Sequence, residues 1–225
     1  MEPCKFMERE RTSLPVILYG VYVYLCSNSL RRASRILEPL VDRSHEAIRQ
    51  WVQRLAPVCD RSDVGRRRVR RIFVDETMVK IRGRQAWIWV AYEPGLKRFL
   101  HFRVSYNQSG LDATIFLREL IGRYGRKPIW TDEGAWYPEA CRYLRLEHHV
   151  YPVQWKNLIE RTNQMLKDRA ECFDDLFPCL KEECDHLHVS NWISVFRYFH
   201  NVVRRREDDQ PEYLRFIQSL SEALT

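Results

Sequence analysis

Asp75 interrupts an apolar, β-branched run, Ile72-Phe73-Val74-Asp75. A charge at an interior strand position costs several kcal/mol unless it is paired or holds a metal. Asp132 closes a second short strand, Pro128–Asp132, and ligand sites in sheets with parallel strands collect at such C-terminal ends. Glu160 falls on a helix beginning near Asn157, with Lys167 seven positions on, on the same helical face, and Arg169 just beyond. Three carboxylates brought together would repel and raise one another's pKa. Hard divalent cations relieve that, and oxygen ligands suit Mg²⁺ or Mn²⁺, not Zn²⁺. Two such ions about 3.5–4 Å apart serve in-line phosphoryl displacement. Each acid also has a plain reading: Asp75 as an edge residue or arginine partner, Asp132 as an Asx-turn, Glu160 as a solvated helix residue. It is the combination that points to chemistry. Glu76 and Glu133 should point away by strand alternation and read as structural.

The elements that must position these acids follow from periodicity. Residues 72–82, 87–92 and 99–104 read as three strands joined by short turns. A helix over 111–124 ends at Gly125, and then come a strand at 128–132, a helix at 138–144, a strand at 148–153 and a helix at 158–172. Further helices are predicted over 191–204 and 213–224. This β-β-β-α-β-α-β-α order predicts an α/β fold in which the first and fourth strands are neighbours, with Asp75 beside Asp132 and Glu160 laid over them.

Residues 1–60 read as all-helical, with apolar positions at helical spacing and Ser44 as a natural N-cap; Pro57 is expected to close the helix that follows. Net charge is +7, and its distribution matters more than its sum. Residues 31–84 hold 15 basic and 7 acidic residues, while the rest of the chain is close to neutral. A basic block of that density suits a polyanion, most simply nucleic acid. The seven cysteines are scattered or crowded late in the chain and suggest reduced thiols, not a disulfide framework. The apolar stretch near Leu14–Cys26 is shorter than the roughly 20 residues a membrane span needs. A cytoplasmic, nucleoid-associated protein without a membrane partner is therefore expected.

Phe73-Val74-Asp75-Glu76-Thr77, then Thr131-Asp132-Glu133-Gly134-Ala135-Trp136-Tyr137, then Asn157-Leu158-Ile159-Glu160-Arg161 with Lys167-Asp168-Arg169, form a set that resembles the DDE transposases of short insertion sequences, of the IS-six type and especially its archaeal relatives. The resemblance covers nearly the whole chain. It implies a ribonuclease H-like mixed sheet flanked by helices over residues 72–210, preceded by a helix-turn-helix domain at 1–60 and a basic connector at 61–71, with a C-terminal helix at 211–225. It further implies two Mg²⁺ (or Mn²⁺) ions held by Asp75, Asp132 and Glu160, with Lys167 and Arg169 touching DNA. The function implied is strand cleavage and transfer at the terminal inverted repeats of a mobile element and at target DNA, by a homodimer or larger assembly. The step from Asp132 to Glu160 spans 28 positions, shorter than in the best-known bacterial members, and Glu171 is the second candidate for the third acid.

The helical pair 29–37 and 44–55 resembles a helix-turn-helix, whose second helix enters the major groove N-terminus first. Its outward residues Ser44, His45, Arg49, Gln50 and Gln53 would face bases, where Arg and Gln make bidentate contacts. Arg31, Arg32, Arg66, Arg67 and Arg68 would meet phosphates. Weaker signals are Cys172, Cys179, Cys184, His186 and His188, which could hold a structural Zn²⁺ but match no common finger, and Trp136 and Trp155, which could stack on a base or pack in the core. The alternatives to a transposase are an inactive or domesticated copy that only binds DNA, and another ribonuclease H-like nuclease or integrase.

Overall fold

The structure, a computed structural model, describes residues 10–61, 68–81, 83–152, 186–203 and 210–224, together with residues 155, 157, 160, 161, 163, 164, 166 and 168 of an intervening helix. The described residues cluster into two compact units, one formed by residues 1–62 with 191–225 and the other by 63–190. Residues 191–210, expected within the catalytic domain, thus cluster with the N-terminal helices.

The second unit is built on five strands: β1 (Ile72–Ile81), β2 (Arg84–Glu93), β3 (Arg98–Ser105), β4 (Ile129–Thr131) and β5 (His148–Val150). Their order across the sheet is β3-β2-β1-β4-β5. β1, β2 and β3 form an antiparallel meander, and β4 and β5 join it in parallel. The β1–β2 turn is tight because Gly83, at φ +72°, adopts a left-handed conformation that side chains resist. Between β2 and β3 the Glu93 carboxylate accepts from the Leu96 N–H at 2.6 Å and closes the turn.

Helices α4 (Gly110–Tyr124) and α5 (Trp136–Leu144) supply the crossovers that parallel strands need. Ser109 caps α4 by accepting from Asp112 N–H, and Gly125, at φ +77°, ends it. Ile72, Val74, Trp89, Ala91, Leu100, Phe116, Leu120 and Tyr137 are part of one buried cluster uniting the sheet with α4 and α5. The mixed sheet with flanking helices, in this order, is the ribonuclease H-like arrangement, and β1 and β4 are neighbours as expected.

The first unit packs α1 (Leu14–Ser27), α2 (Leu30–Leu37) and α3 (His45–Arg61) with α7 (Glu212–Leu224) and the part of α6 (His186–Val203) that falls within it. Gly20 on α1 permits the close approach of Leu37 and Trp51, which would stand 2.9 and 3.1 Å from an added Cβ. Pro57 does not close α3, which continues to Arg61. Its ring faces solvent, where the carbonyl it fails to serve can bond to water. Arg197, buried on α6, holds the end of α3 instead, donating to the carbonyls of Cys59 and Asp60 at 2.9 Å each. On α7, Phe216 and Leu220 are buried, and Phe216 meets Tyr22, Tyr198 and Phe199. Among the described residues no helix is long and apolar enough to cross a membrane.

Candidate active site

The parallel ladder pairs Ile72 with Ile129 and Phe73 with Trp130. Carried two residues further, the same offset sets Asp132 level with Asp75, just beyond the last residue of β4. Alternation puts Asp75 on the sheet face of Phe73, away from the α4 and α5 core. That face is aromatic: Phe73 lies against Trp130, Tyr151 and Trp155, with ring centroids 5.8, 6.0 and 5.5 Å away.

Burial pushes the Asp75 carboxyl up to about 7, with the neighbouring charges of Glu76 and Asp132 adding to the effect. Opposing it are the Glu76 backbone N–H and the side chain of Asn163, whose Nδ2 donates to Asp75 Oδ2 at 2.5 Å. Asp132 is held by its own turn: Gly134 N–H donates to Asp132 Oδ1 at 3.0 Å. The Asx-turn and the place beside Asp75 are therefore both true of Asp132.

Glu76 was expected to point away and act only structurally. It does take the opposite face from Asp75, where the Tyr137 hydroxyl and Gln108 Nε2 donate to its carboxylate, the latter at 2.8 Å. Yet it is not remote. Burial raises its pKa, and the charge of Asp132 adds to that. The charge of Asp132 thus reaches carboxylates on both faces of β1.

Glu160 is exposed on the helical residues between 155 and 168. Its charge reaches the Tyr151 phenol, as do those of Asp75, Asp132 and Glu76; burial first, then these acids, raise that hydroxyl's pKa. No group of three acidic, histidine or cysteine side chains among the described residues is close enough to hold one ion. The structure brings together Asp75, Asp132 and Asn163, and leaves Glu160 outside that set. Lys167, Arg169 and Glu171 lie outside the described residues.

A divalent cation fits the donors that are present. They are hard oxygens, and the acids already repel. Asn163 is buried, and its Oδ1 has no hydrogen-bond partner among the described residues. Sequence reasoning missed Asn163, although it sits one turn after Glu160 and so on a neighbouring stretch of the same helical face.

At the proposed helix-turn-helix, Ser29 caps α2 and Ser44 Oγ accepts from Ala47 N–H at 3.3 Å. Arg31, Arg32, Ser44, His45 and Gln50 are exposed. Arg49 is half-buried and bonded through two nitrogens to Glu46, at 2.8 and 2.5 Å, and Gln50 Nε2 also reaches Glu46, at 3.3 Å. Gln53, expected to face bases, is half-buried, and its side-chain oxygen accepts from Asn191 Nδ2 at 2.9 Å. Arg68 is exposed, whereas Arg66 and Arg67 lie outside the described residues. The cysteines of the suggested Zn²⁺ cluster do too. Trp136 and Trp155 both pack against aromatic neighbours, Tyr137 and Phe73.

A family model described as a DDE domain, DDE_Tnp_IS240, matches residues 69–204. The chain is 29% identical over 201 residues to the uncharacterized protein MJ0017 of Methanocaldococcus jannaschii, covering 89% of this chain and 92% of that one. Among solved structures, the catalytic core domain of BIV integrase aligns at a TM-score of 0.43 and 18% identity, covering 69% of this chain and 98% of that one. The HTLV-2 integrase catalytic core domain in complex with magnesium aligns at 0.43 and 16% identity, covering 62% and 88%.

Proposed function

The chain belongs to the DDE_Tnp_IS240 family of DDE transposase domains, divalent-metal-dependent enzymes of DNA phosphoryl transfer, and on that premise we propose that it cuts DNA at the ends of a mobile element and joins the freed ends to target DNA. The observation that supports this reading is the parallel β1–β4 ladder, whose offset, carried past the end of β4, sets Asp132 level with Asp75 so that the two like charges repel. Asp75 and Asp132 would hold Mg²⁺ or Mn²⁺, in two ions, with Glu160 as the third acid once DNA is bound. The ions supply the charge that activates a nucleophilic oxygen and steadies the leaving one.

The chain's own residues do the rest. Asn163 orients the Asp75 carboxylate through its amide, and Gly134 fixes that of Asp132. Phe73, buried against Trp130 and Trp155, gives Asp75 an apolar neighbour on its face of the sheet. In the first unit, α2 and α3 would seat the duplex, with Arg31, Arg32, Ser44, His45 and Gln50 outermost and Arg49 released from Glu46 on binding. Arg66, Arg67 and Arg68 would meet DNA phosphates, and Lys167 and Arg169 would also contact DNA. Joining two ends calls for a dimer or larger assembly.

The test mixes the protein with labelled DNA from the flanks of its gene, with Mg²⁺. Cleavage is expected, and Asp75→Asn, Asp132→Asn and Glu160→Gln should each abolish it while end binding survives. Cleavage that persists in Asp132→Asn would remove that residue from the site. A second reading, a DNA-binding regulator that no longer cuts, draws on Glu160 being exposed and on the three acids not forming one ion-holding group among the described residues. End binding with no cleavage in the unaltered protein would favour it.

A further inference from the structure

A cleft of about 850 Å³ opens beside the starts of β1 and β4. Its lining includes Arg68, Arg70 and Arg71 with Trp130 and His149. Its two acids are already engaged: Glu93 accepts from the Leu96 N–H, and Glu147 Oε1 lies 2.7 Å from His149 Nε2. No carboxylate among the described residues is ion-paired with the three arginines, and the Arg71 guanidinium lies 5.2 Å from the Trp155 ring centre and 5.9 Å from that of Phe73. The cleft's net charge is therefore positive.

Two of its lining residues, Trp130 and His149, belong to an aromatic stack. The rings of Phe73, Trp130 and His149 stack face to face across β1, β4 and β5, Phe73 being buried and outside the lining; Phe73 and Trp130 are 5.8 Å apart and 10° from parallel, Trp130 and His149 4.6 Å and 26°. Trp130 and His149 remain half-exposed. Guanidinium groups beside a stack of rings are what a single nucleic-acid strand requires: cations for phosphates and a free ring face against which a base can stack. A duplex offers no unstacked base to such a platform.

We propose that this cleft binds a single DNA strand, with Arg68 and Arg70 on its phosphates and a base stacked on the outer face of His149, extending the row of rings. The proposal rests on the DNA-cutting reading for its position. Trp130 stands two residues before Asp132, a separation of about 7 Å along the strand. A strand that continues from the aspartates toward the starts of β1 and β4 would pass this cleft. The cleft is where a cut end is held by its flank.

The test is run in EDTA, so that cleavage plays no part. A fluorescein-labelled single-stranded oligonucleotide of mixed sequence is titrated against the whole chain, alongside its duplex. A second oligonucleotide carries 2-aminopurine, whose fluorescence falls on stacking. The single strand should bind more tightly than the blunt duplex of equal length, with the 2-aminopurine quenched. Replacing both Arg68 and Arg70 by Ala should weaken strand binding about tenfold and reduce the salt slope by about 1.4, since each single-strand phosphate contact contributes roughly 0.7. His149→Ala should remove the quenching and weaken binding at least about fivefold. Circular dichroism melts check that the variants fold, and His149→Phe should restore quenching. Unchanged strand affinity and quenching in both variants would overturn the proposal. Strand binding without Mg²⁺-dependent cleavage would sink the enzyme reading alone; cleavage without strand binding would sink this one alone.

Discussion

Asn163 donates to Asp75 across the gap between the helix and the sheet, at 2.5 Å, while its own amide oxygen stays buried without a hydrogen bond among the described residues. A buried acceptor left unserved costs about 1–3 kcal/mol. Such a cost is tolerated where a ligand is to supply the missing partner, and a hard cation is one that would. Asn163→Ala is predicted to lower Mg²⁺-dependent cleavage by about 10- to 100-fold, as loss of a supporting group around a metal does. The check is an initial-rate titration with Mg²⁺. Unchanged rates at every concentration would make Asn163 a packing residue only.

Stability should depend on pH through Asp75. Its carboxyl titrates near 7 in the folded chain, well above the ordinary carboxylate range. The folded state therefore holds a proton that the unfolded state has lost, and metal-free stability falls as pH rises from about 4 to about 7. Asp75→Asn removes that dependence. In EDTA above pH 7 it should melt higher than the unaltered protein, by at least about 1.4 kcal/mol, the worth of one pKa unit. Mg²⁺ should raise the melting temperature of the unaltered protein and leave the variant where it was. Melts at pH 5 and pH 8, with and without Mg²⁺, check this; if Mg²⁺ leaves the unaltered protein's melting temperature unchanged, the aspartates bind no ion.

Gly134 is predicted to matter for Asp132 and little for the fold. A Cβ there would stand 2.9 Å from Asp132 Oδ1 and 3.2 Å from the Trp136 ring. Gly134→Ala should displace the carboxylate and cut activity at least about tenfold, while the melting temperature changes by only a few degrees. A variant as active as its parent would mean that the turn gives way freely.

In the first unit, Arg197→Leu should destabilise by about 2–3 kcal/mol. It strips the last carbonyls of α3 of their donors, at a site where Arg197 is 2% exposed. Urea unfolding of the variant against its parent measures this. A shift under half a kilocalorie would show that water replaces the guanidinium.

Much of this was legible because it follows from periodicity. The order of strands and helices implied that β1 and β4 would be neighbours, and the positions of Asp75 and Asp132 within their strands then implied that they would meet. Three features were not legible. Pro57 reads as a helix breaker, but a breaker on a solvent-facing position removes a hydrogen bond that water can replace. Strand alternation assigned Glu76 to the far face, but it could not say that Tyr137 and Gln108 would be waiting there, or that Asp132 would feel its charge. Gln53 sits at an outward helical position, yet its partner Asn191 comes from a segment 138 residues away, which no local pattern reports.

The parallel ladder between β1 and β4 has a consequence for how such a chain can change over generations. Asp75 and Asp132 are registered by backbone pairing, so their spacing is immune to what happens later in the sequence. The proposed third acid, Glu160, lies beyond the β4–β5 ladder, on a tether after Val150 that no strand pairing measures. Insertions and deletions can accumulate in that tether without disturbing the pair, and the same scaffold can acquire or lose a cutting function by altering one connection.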